Sequence, residues 1–222
     1  MLVDKPLDWT SARVINFLKK RLKVKKAGHS GTLDPRATGL LIICTGKKTK
    51  IISGMIGMDK DYDGIIRIGA VTKTYDTESL EQDIRNVSGV TDLMIEEASK
   101  KLTGEIMQIP PVHSAIKQNG APVYIRARRG ENVVIEARKV FVEKFYVNRI
   151  SEKEVSFKVT CSKGTYIRSL AYDFGSILGV GAYLKELRRT RIGNYVLEEY
   201  KDEIEGVKVR VLDNLTEVCI SK

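Results

Sequence analysis

Apolar residues recur along this chain with two periods, and each period predicts a kind of element. Val14, Ile15, Leu18 and Leu22 fall at helical spacing and predict a helix over 11–23. Thr10 or Ser11 is its natural N-cap, and the basic residues from Lys19 onward suit the negative end of its dipole. Met94, Ala98 and Leu102 predict a helix over 91–102, capped by Thr91, with Gly104 just past its end. Ile167, Leu170, Ala171, Phe174 and Leu178 predict another over 165–178, and a further helix is expected over 182–189. Strands are predicted where apolar runs are short or alternate with polar residues: over 40–44, over 62–68, at Val140 and Val142, and at Val155, Phe157 and Val159. The opening Met1–Pro6 reads as a strand entering a turn. The order is neither strictly βαβ nor all-β. It predicts an α+β fold with a mixed, largely antiparallel central sheet flanked by helices.

Composition narrows the partner. The formal net charge is +10, from 38 basic and 28 acidic residues. Such an excess points to a polyanion, most often nucleic acid. No long basic amphipathic helix and no apolar run of spanning length argue for a membrane. The start lacks the charged head and apolar stretch of a signal peptide. Cys44, Cys161 and Cys219 are odd in number and far apart, which argues against a disulfide framework and against a zinc site. A reducing compartment, the cytoplasm, is the simple inference. His29 and His113 are isolated, so no metal centre is expected. Neither a P-loop nor a dinucleotide fingerprint is present. The 222 residues can bury a core unaided, and one domain spanning 1–222 is expected.

Three polar segments are loop-like and rich in chemistry. Gly28–Leu40 reads G-H-S-G-T-L-D-P-R-A-T-G-L. Pro35 disfavours helix at Asp34 and presents that carboxylate from a tight turn. There it is either an ordinary turn residue or a rigidly held catalytic group. Ile109–Gly130 reads I-P-P-V-H-S-A-I-K-Q-N-G-A-P-V-Y-I-R-A-R-R-G. Its proline pair rules out a central strand, and Ser114, Lys117, Tyr124, Arg126, Arg128 and Arg129 crowd hydroxyl, cationic and aromatic groups together. Cations neutralise phosphates and aromatic rings stack on exposed bases, so RNA binding is favoured over a merely solvated loop. Ser162–Ala171 reads S-K-G-T-Y-I-R-S-L-A. Arg168 there suits a carboxylate or phosphate, or a salt bridge tying helix to sheet.

Taken together, the motifs resemble one family. Lys5-Pro6 with Trp9-Thr10-Ser11, then G-H-S-G-T-L-D-P-R-A-T-G, Lys60-Asp61-Tyr62, Q-I-P-P-V-H-S-A-I-K and G-T-Y-I-R-S-L-A stand in the order of the TruB family of tRNA pseudouridine synthases. The resemblance runs to about Gly193. It implies the pseudouridine synthase fold, and conversion of one uridine in the T arm of tRNA, position 55, to pseudouridine. Neither metal nor organic cofactor is implied, and a monomer is expected. It implies that Asp34 is the catalytic aspartate, that Tyr62 stacks on the target uracil, and that Arg168 pairs with the aspartate. His29 matches the histidine that holds the RNA open, Lys5 supports the active-site loop, and Leu187 is an apolar wall of the uracil pocket. Arg36, Lys117, Arg128 and Arg129 are the candidates for contact with the RNA backbone. The stretch around 105–140 is expected to be an RNA-binding insertion.

The chain also departs from the family pattern. Asp8 stands where glycine is common in K-P-x-G, Ser30 replaces a common threonine, and Arg36 replaces a common aliphatic residue. About 30 residues follow Gly193, too few for the C-terminal PUA domain that many relatives carry, so none is expected. Two other readings are open. An inactive RNA-binding protein on the same scaffold would bind without turnover. A nuclease would need a carboxylate cluster or a histidine pair, and neither is evident.

Overall fold

The computed structural model describes residues 1–112, 114, 117–118, 121–122, 135–197 and 202–212, with backbone alone at 117–118 and 121–122. Strands run over Leu2–Lys5 (β1), Ala27–His29 (β2), Ala37–Thr45 (β3), Lys60–Ile68 (β4), Val71–Thr72 (β5), Glu81–Gln82 (β6), Gly104–Gln108 (β7) and Lys117–Gln118 (β8). They continue over Ala121–Pro122 (β9), Arg138–Arg149 (β10), Glu154–Cys161 (β11), Ala182–Ile192 (β12), Tyr195–Val196 (β13), Asp202–Ile204 (β14) and Val207–Arg210 (β15). Helices run over Ser11–Arg21 (α1), Ile52–Ile56 (α2), Asp92–Lys101 (α3) and Ile167–Leu178 (α4), and a 3-10 helix covers Gly46–Ile51. The class is therefore α+β, as the hydrophobic pattern predicts.

The chain divides into two compact units, residues 1–63 with 187–222, and residues 64–186. In the first, the strand order is β14-β15-β1-β3-β12. Its β1–β3 and β1–β15 pairs are antiparallel, whereas β12 joins β3 in parallel, so the sheet is mixed. Two apolar clusters sandwich it. Leu2, Leu40, Ile42, Met55 and Ile192 lie on one face, and Val3, Val14, Leu18, Leu41, Ile43 and Val209 on the other. The alternation of Leu40 to Ile43 between these clusters is the period of a strand buried on both faces. In the second unit, β7, β10 and β11 form an antiparallel ladder. Phe145 of β10 meets Phe157 of β11 and Phe174 of α4 edge-on, each at 6.0 Å between ring centres.

Most predicted elements stand where the pattern puts them. Thr10 caps α1, accepting a hydrogen bond from the Arg13 N–H at 3.0 Å, and Thr91 caps α3 likewise. Three expectations need correction. Residues 182–189 are not a helix but the first part of strand β12. Leu-Lys-Glu-Leu-Arg-Arg has strong helical propensity, yet pairing with β3 and partners for the arginines override it. Of the face expected on α3, Ala98 and Leu102 are buried, but Met94 is exposed and Ile95 takes its place beside Ser99. The helix expected from Thr165 begins at Ile167, with Tyr166 as N-cap and Gly164 in the preceding turn at φ +82°.

Candidate functional site

The loop carrying Asp34 is a β-turn pinned from several sides within the first unit. The Ala37 N–H donates to the Asp34 carbonyl at 3.1 Å, closing Asp34-Pro35-Arg36-Ala37 with proline at its favoured second position. Just before it, the Leu33 N–H donates to Ser11 Oγ at 2.9 Å, and that hydroxyl lies 3.0 Å from the Leu33 carbonyl. Ser11 is buried at the first turn of α1, so the helix holds the loop rather than capping itself with this residue. The Pro35 carbonyl accepts from the Asp8 N–H at 2.9 Å and from Lys5 Nζ at 3.3 Å. Asp34 itself is half-buried.

Lys5 is fully buried at the end of β1. Its Nζ donates to the carbonyls of Pro6, Trp9 and Pro35, three acceptors for the three protons of an ammonium. Loss of water pushes its pKa down to about 8, and the charge of Asp34 partly opposes that shift. His29, half-buried in β2, accepts the Gly31 N–H at Nδ1 at 3.2 Å. Burial lowers its pKa and the Arg189 cation lowers it further, so the ring is neutral at physiological pH.

Arg189 is the residue that the motifs do not single out. It is almost fully buried in β12, with Nε donating to the Leu40 carbonyl at 2.7 Å and Nη2 to the Gly31 carbonyl at 3.0 Å. It thus ties the loop after His29 to β3. Two neighbours serve the same frame: Arg188 forks Asp4 at 2.7 and 3.1 Å, and Arg191 forks Asp61 at 2.6 Å through both nitrogens. The run R-R-T-R marks a cluster of cations, but nothing in it distinguishes Arg189 as the buried one. Gly39 makes this approach feasible. It has φ +101° and pairs with Arg189, and a Cβ there would lie 2.3 Å from the Arg189 carbonyl oxygen.

The other first-unit residues are also placed. Tyr62 is buried in β4, one residue beyond Asp61. Leu187 is half-buried and registers opposite Ala37, three residues past Asp34, in a strand and not in a helix. Arg36 bonds Asp8 at 2.8 Å. Asp8 sits at φ +61°, a conformation that glycine takes without strain. The two departures from the family pattern on this turn therefore bond one another.

In the second unit, Arg168 is buried at the start of α4. Its Nη1 donates to the Thr74 carbonyl at 3.0 Å, and its Nε lies 3.7 Å from Asp76 Oδ2, itself buried. Asp76, unnoticed in the sequence, thus shares the guanidinium charge. Gln108 sets this helix start: its side-chain amide bonds both the N–H of Tyr166 at 2.7 Å and its carbonyl at 3.1 Å. Ser169 Oγ reaches the Ile109 carbonyl at 2.7 Å. The Q-I-P-P and G-T-Y-I-R-S motifs are thereby one construction. The Lys117 side chain, Arg128 and Arg129 lie outside the described residues, as does nearly half of the expected insertion at 105–140.

Residues 19–167 match the model of the TruB family pseudouridylate synthase N-terminal domain. The chain belongs to the TruB family. Residues 168–214 match the tRNA pseudouridylate synthase B C-terminal domain, so the family likeness extends past Gly193, where the motifs end. The tRNA pseudouridine synthase B of Flavobacterium johnsoniae is 48% identical over 202 residues, covering 88% of either chain. That of Chlorobaculum tepidum is 47% identical, covering 90% of this chain and 85% of the relative. Among solved structures, a chain of a Cbf5-Nop10-Gar1 complex superposes with a TM-score of 0.68 at 32% identity. A chain of an H/ACA RNP bound to a substrate RNA containing 2'-deoxyuridine gives 0.65 at 29%. This chain is covered to 88% in both, and it spans about half the length of those solved chains, 49% and 48%. The family places the α+β architecture as the pseudouridine synthase fold.

Proposed function

We propose that this chain isomerises uridine to pseudouridine in tRNA, with position 55 of the T arm as target and Asp34 as the catalytic carboxylate. The observation that carries the reading is the Asp34 turn, which α1, Lys5 and Asp8 fix in place, in a chain whose family and relatives share this activity by name. The reaction breaks the N1–C1′ bond of uridine, turns the base and joins C5 to C1′. A proton leaves C5 and another is taken up at N1. The atoms concerned are hidden in a stacked loop, so the nucleotide must leave the stack, at a cost of a few kcal/mol. Stacking on Tyr62 and filling of the vacated space by neutral His29 offset that cost.

Asp34 then has three uses for the same carboxylate: attack at the sugar, attack at the base, or proton removal that opens a glycal route. Leu187 walls the pocket that retains the detached uracil. We assign the family's arginine to Arg168, and phosphate contacts to Arg36, Lys117, Arg128 and Arg129. The reading includes one catalytic domain, a monomeric protein acting in the cytoplasm, and the stretch around 105–140 as an RNA-binding insertion. It requires no metal or organic cofactor.

The test is tritium release from a T-arm stem-loop labelled at uracil C5, without added metal. Wild type should release tritium, and Asp34→Asn should lose at least roughly a thousandfold in rate while still binding RNA. Full turnover by Asp34→Asn would end the assignment. Tight binding without release by wild type would favour an RNA-binding protein on the same scaffold.

A further inference from the structure

The charge excess is not spread over the chain. Residues 9–58 contain eleven lysines and arginines and one acidic residue, Asp34, and so carry the entire net charge of +10. The remaining 27 basic and 27 acidic residues cancel. The fold concentrates this segment further. The Gly46 N–H donates to the Lys26 carbonyl at 2.9 Å, joining the loop after α1 to the 3-10 helix that follows β3. Ile51 and Ile52 anchor that helix on the core, while Lys47, Lys48 and Lys50 face solvent beside exposed Lys23, Lys25 and Lys26.

Attraction to a helix dipole accounts for Lys19, Lys20 and Arg21 in the last turn of α1, but not for lysines beyond it. Among the described residues, Lys23, Lys25, Lys26, Lys47 and Lys50 have no carboxylate at ion-pair distance, whereas neighbouring Arg21 is taken by Glu205. Lys23 also holds φ +51°, at the helix exit where glycine is the unstrained residue, so the chain keeps a cation there against its backbone preference.

From this we infer that these six lysines form a second RNA-binding surface, which grips phosphates of the tRNA outside the reacting loop. The register gives the distance. Ala27 of β2 pairs with Thr45 at the far end of β3, whereas the Asp34 turn leads into Ala37 at its near end. The nine residues of β3 put roughly 26 Å between the two ends. The surface therefore touches a part of the RNA remote from the flipped nucleotide and contributes to binding, not to the chemical step. Its ligand class rests on the tRNA reading above.

The test compares wild type with Lys23→Gln/Lys25→Gln/Lys47→Gln/Lys50→Gln, and with a control, Lys100→Gln/Lys101→Gln/Lys144→Gln/Lys158→Gln, that removes equal charge from the second unit. Dissociation constants are measured for whole unmodified tRNA and for a short T-arm hairpin between 50 and 200 mM salt, with the single-turnover rate at saturating tRNA. The patch variant should bind whole tRNA about tenfold more weakly with a shallower salt dependence, while its hairpin binding changes less and its saturated rate is unchanged. Equal losses in patch and control variants, or wild-type affinity in the patch variant, would overturn the inference. If wild type made no pseudouridine, the catalytic reading would fail, yet a selective loss of tRNA affinity would still identify the surface.

Discussion

Single residues in this protein divide into those whose chemistry is visible in the sequence and those whose burial gives them their meaning. Asp34 is legible because Asp-Pro between small residues specifies a turn, and Ala37 closes it. Arg189 and Asp76 are not, because arginine and aspartate are ordinarily exposed and only the fold shows both buried. Lys5 lies between: its motif is visible, but not its burial. That burial has a consequence for pH. In the unfolded chain Lys5 keeps its proton up to its ordinary value of 10.5, and in the folded chain only up to about 8. Between these values unfolding takes up a proton, so raising the pH favours the folded state. The cost of holding a charged Lys5 is present below pH 8 and is relieved above it. Urea denaturation of wild type and Lys5→Met should therefore give a stability difference that shifts in favour of wild type as pH rises from 8 towards 10. Parallel stability curves would show that Lys5 is not buried as a charge.

At the scale of elements, periodicity located α1, α3, α4 and β11, a short apolar run located β3, and periodicity failed at β12. Leu184 and Leu187 are three residues apart, a spacing shared by one helix face and by irregular strand patterns, and the charged residues between them favour helix locally. What decides the matter is remote in sequence. Gly39 admits the β12 backbone, and Asp4, Asp61 and the Leu40 carbonyl receive its three arginines. No local signal reports such partners. The dependence on Gly39 is open to direct test. An alanine there adds a Cβ 2.3 Å from the Arg189 carbonyl oxygen and is forced into φ +101°. Gly39→Ala should cost about 3 kcal/mol in urea-measured stability. It should also slow tritium release, because the β3–β12 pair underlies the Asp34 turn. Wild-type stability would mean that the strand pair yields without cost.

For the molecule as a whole, composition predicts a polyanionic partner but is silent on where it sits. The charge excess was legible as a sum. Its confinement to residues 9–58 is legible too, whereas the meeting of Lys26 with Gly46 belongs to the fold. With the lysine surface we infer, that arrangement separates capture of tRNA from its chemistry. Capture of tRNA depends on exposed cations, which displace counterions from phosphates and are screened by salt. On the proposed function, chemistry depends on half-buried Asp34, whose turn is held by neutral carbonyl and hydroxyl contacts and by buried Lys5, all of which salt screens much less. Raising salt from 50 to 200 mM should therefore raise KM for tRNA by about tenfold or more, while the rate at saturating tRNA changes by less than about twofold. Steady-state tritium release across that range is the measurement. A saturated rate that falls in step with affinity would mean that the exposed lysines act in the chemical step, and the division between a gripping surface and a reacting loop would not hold.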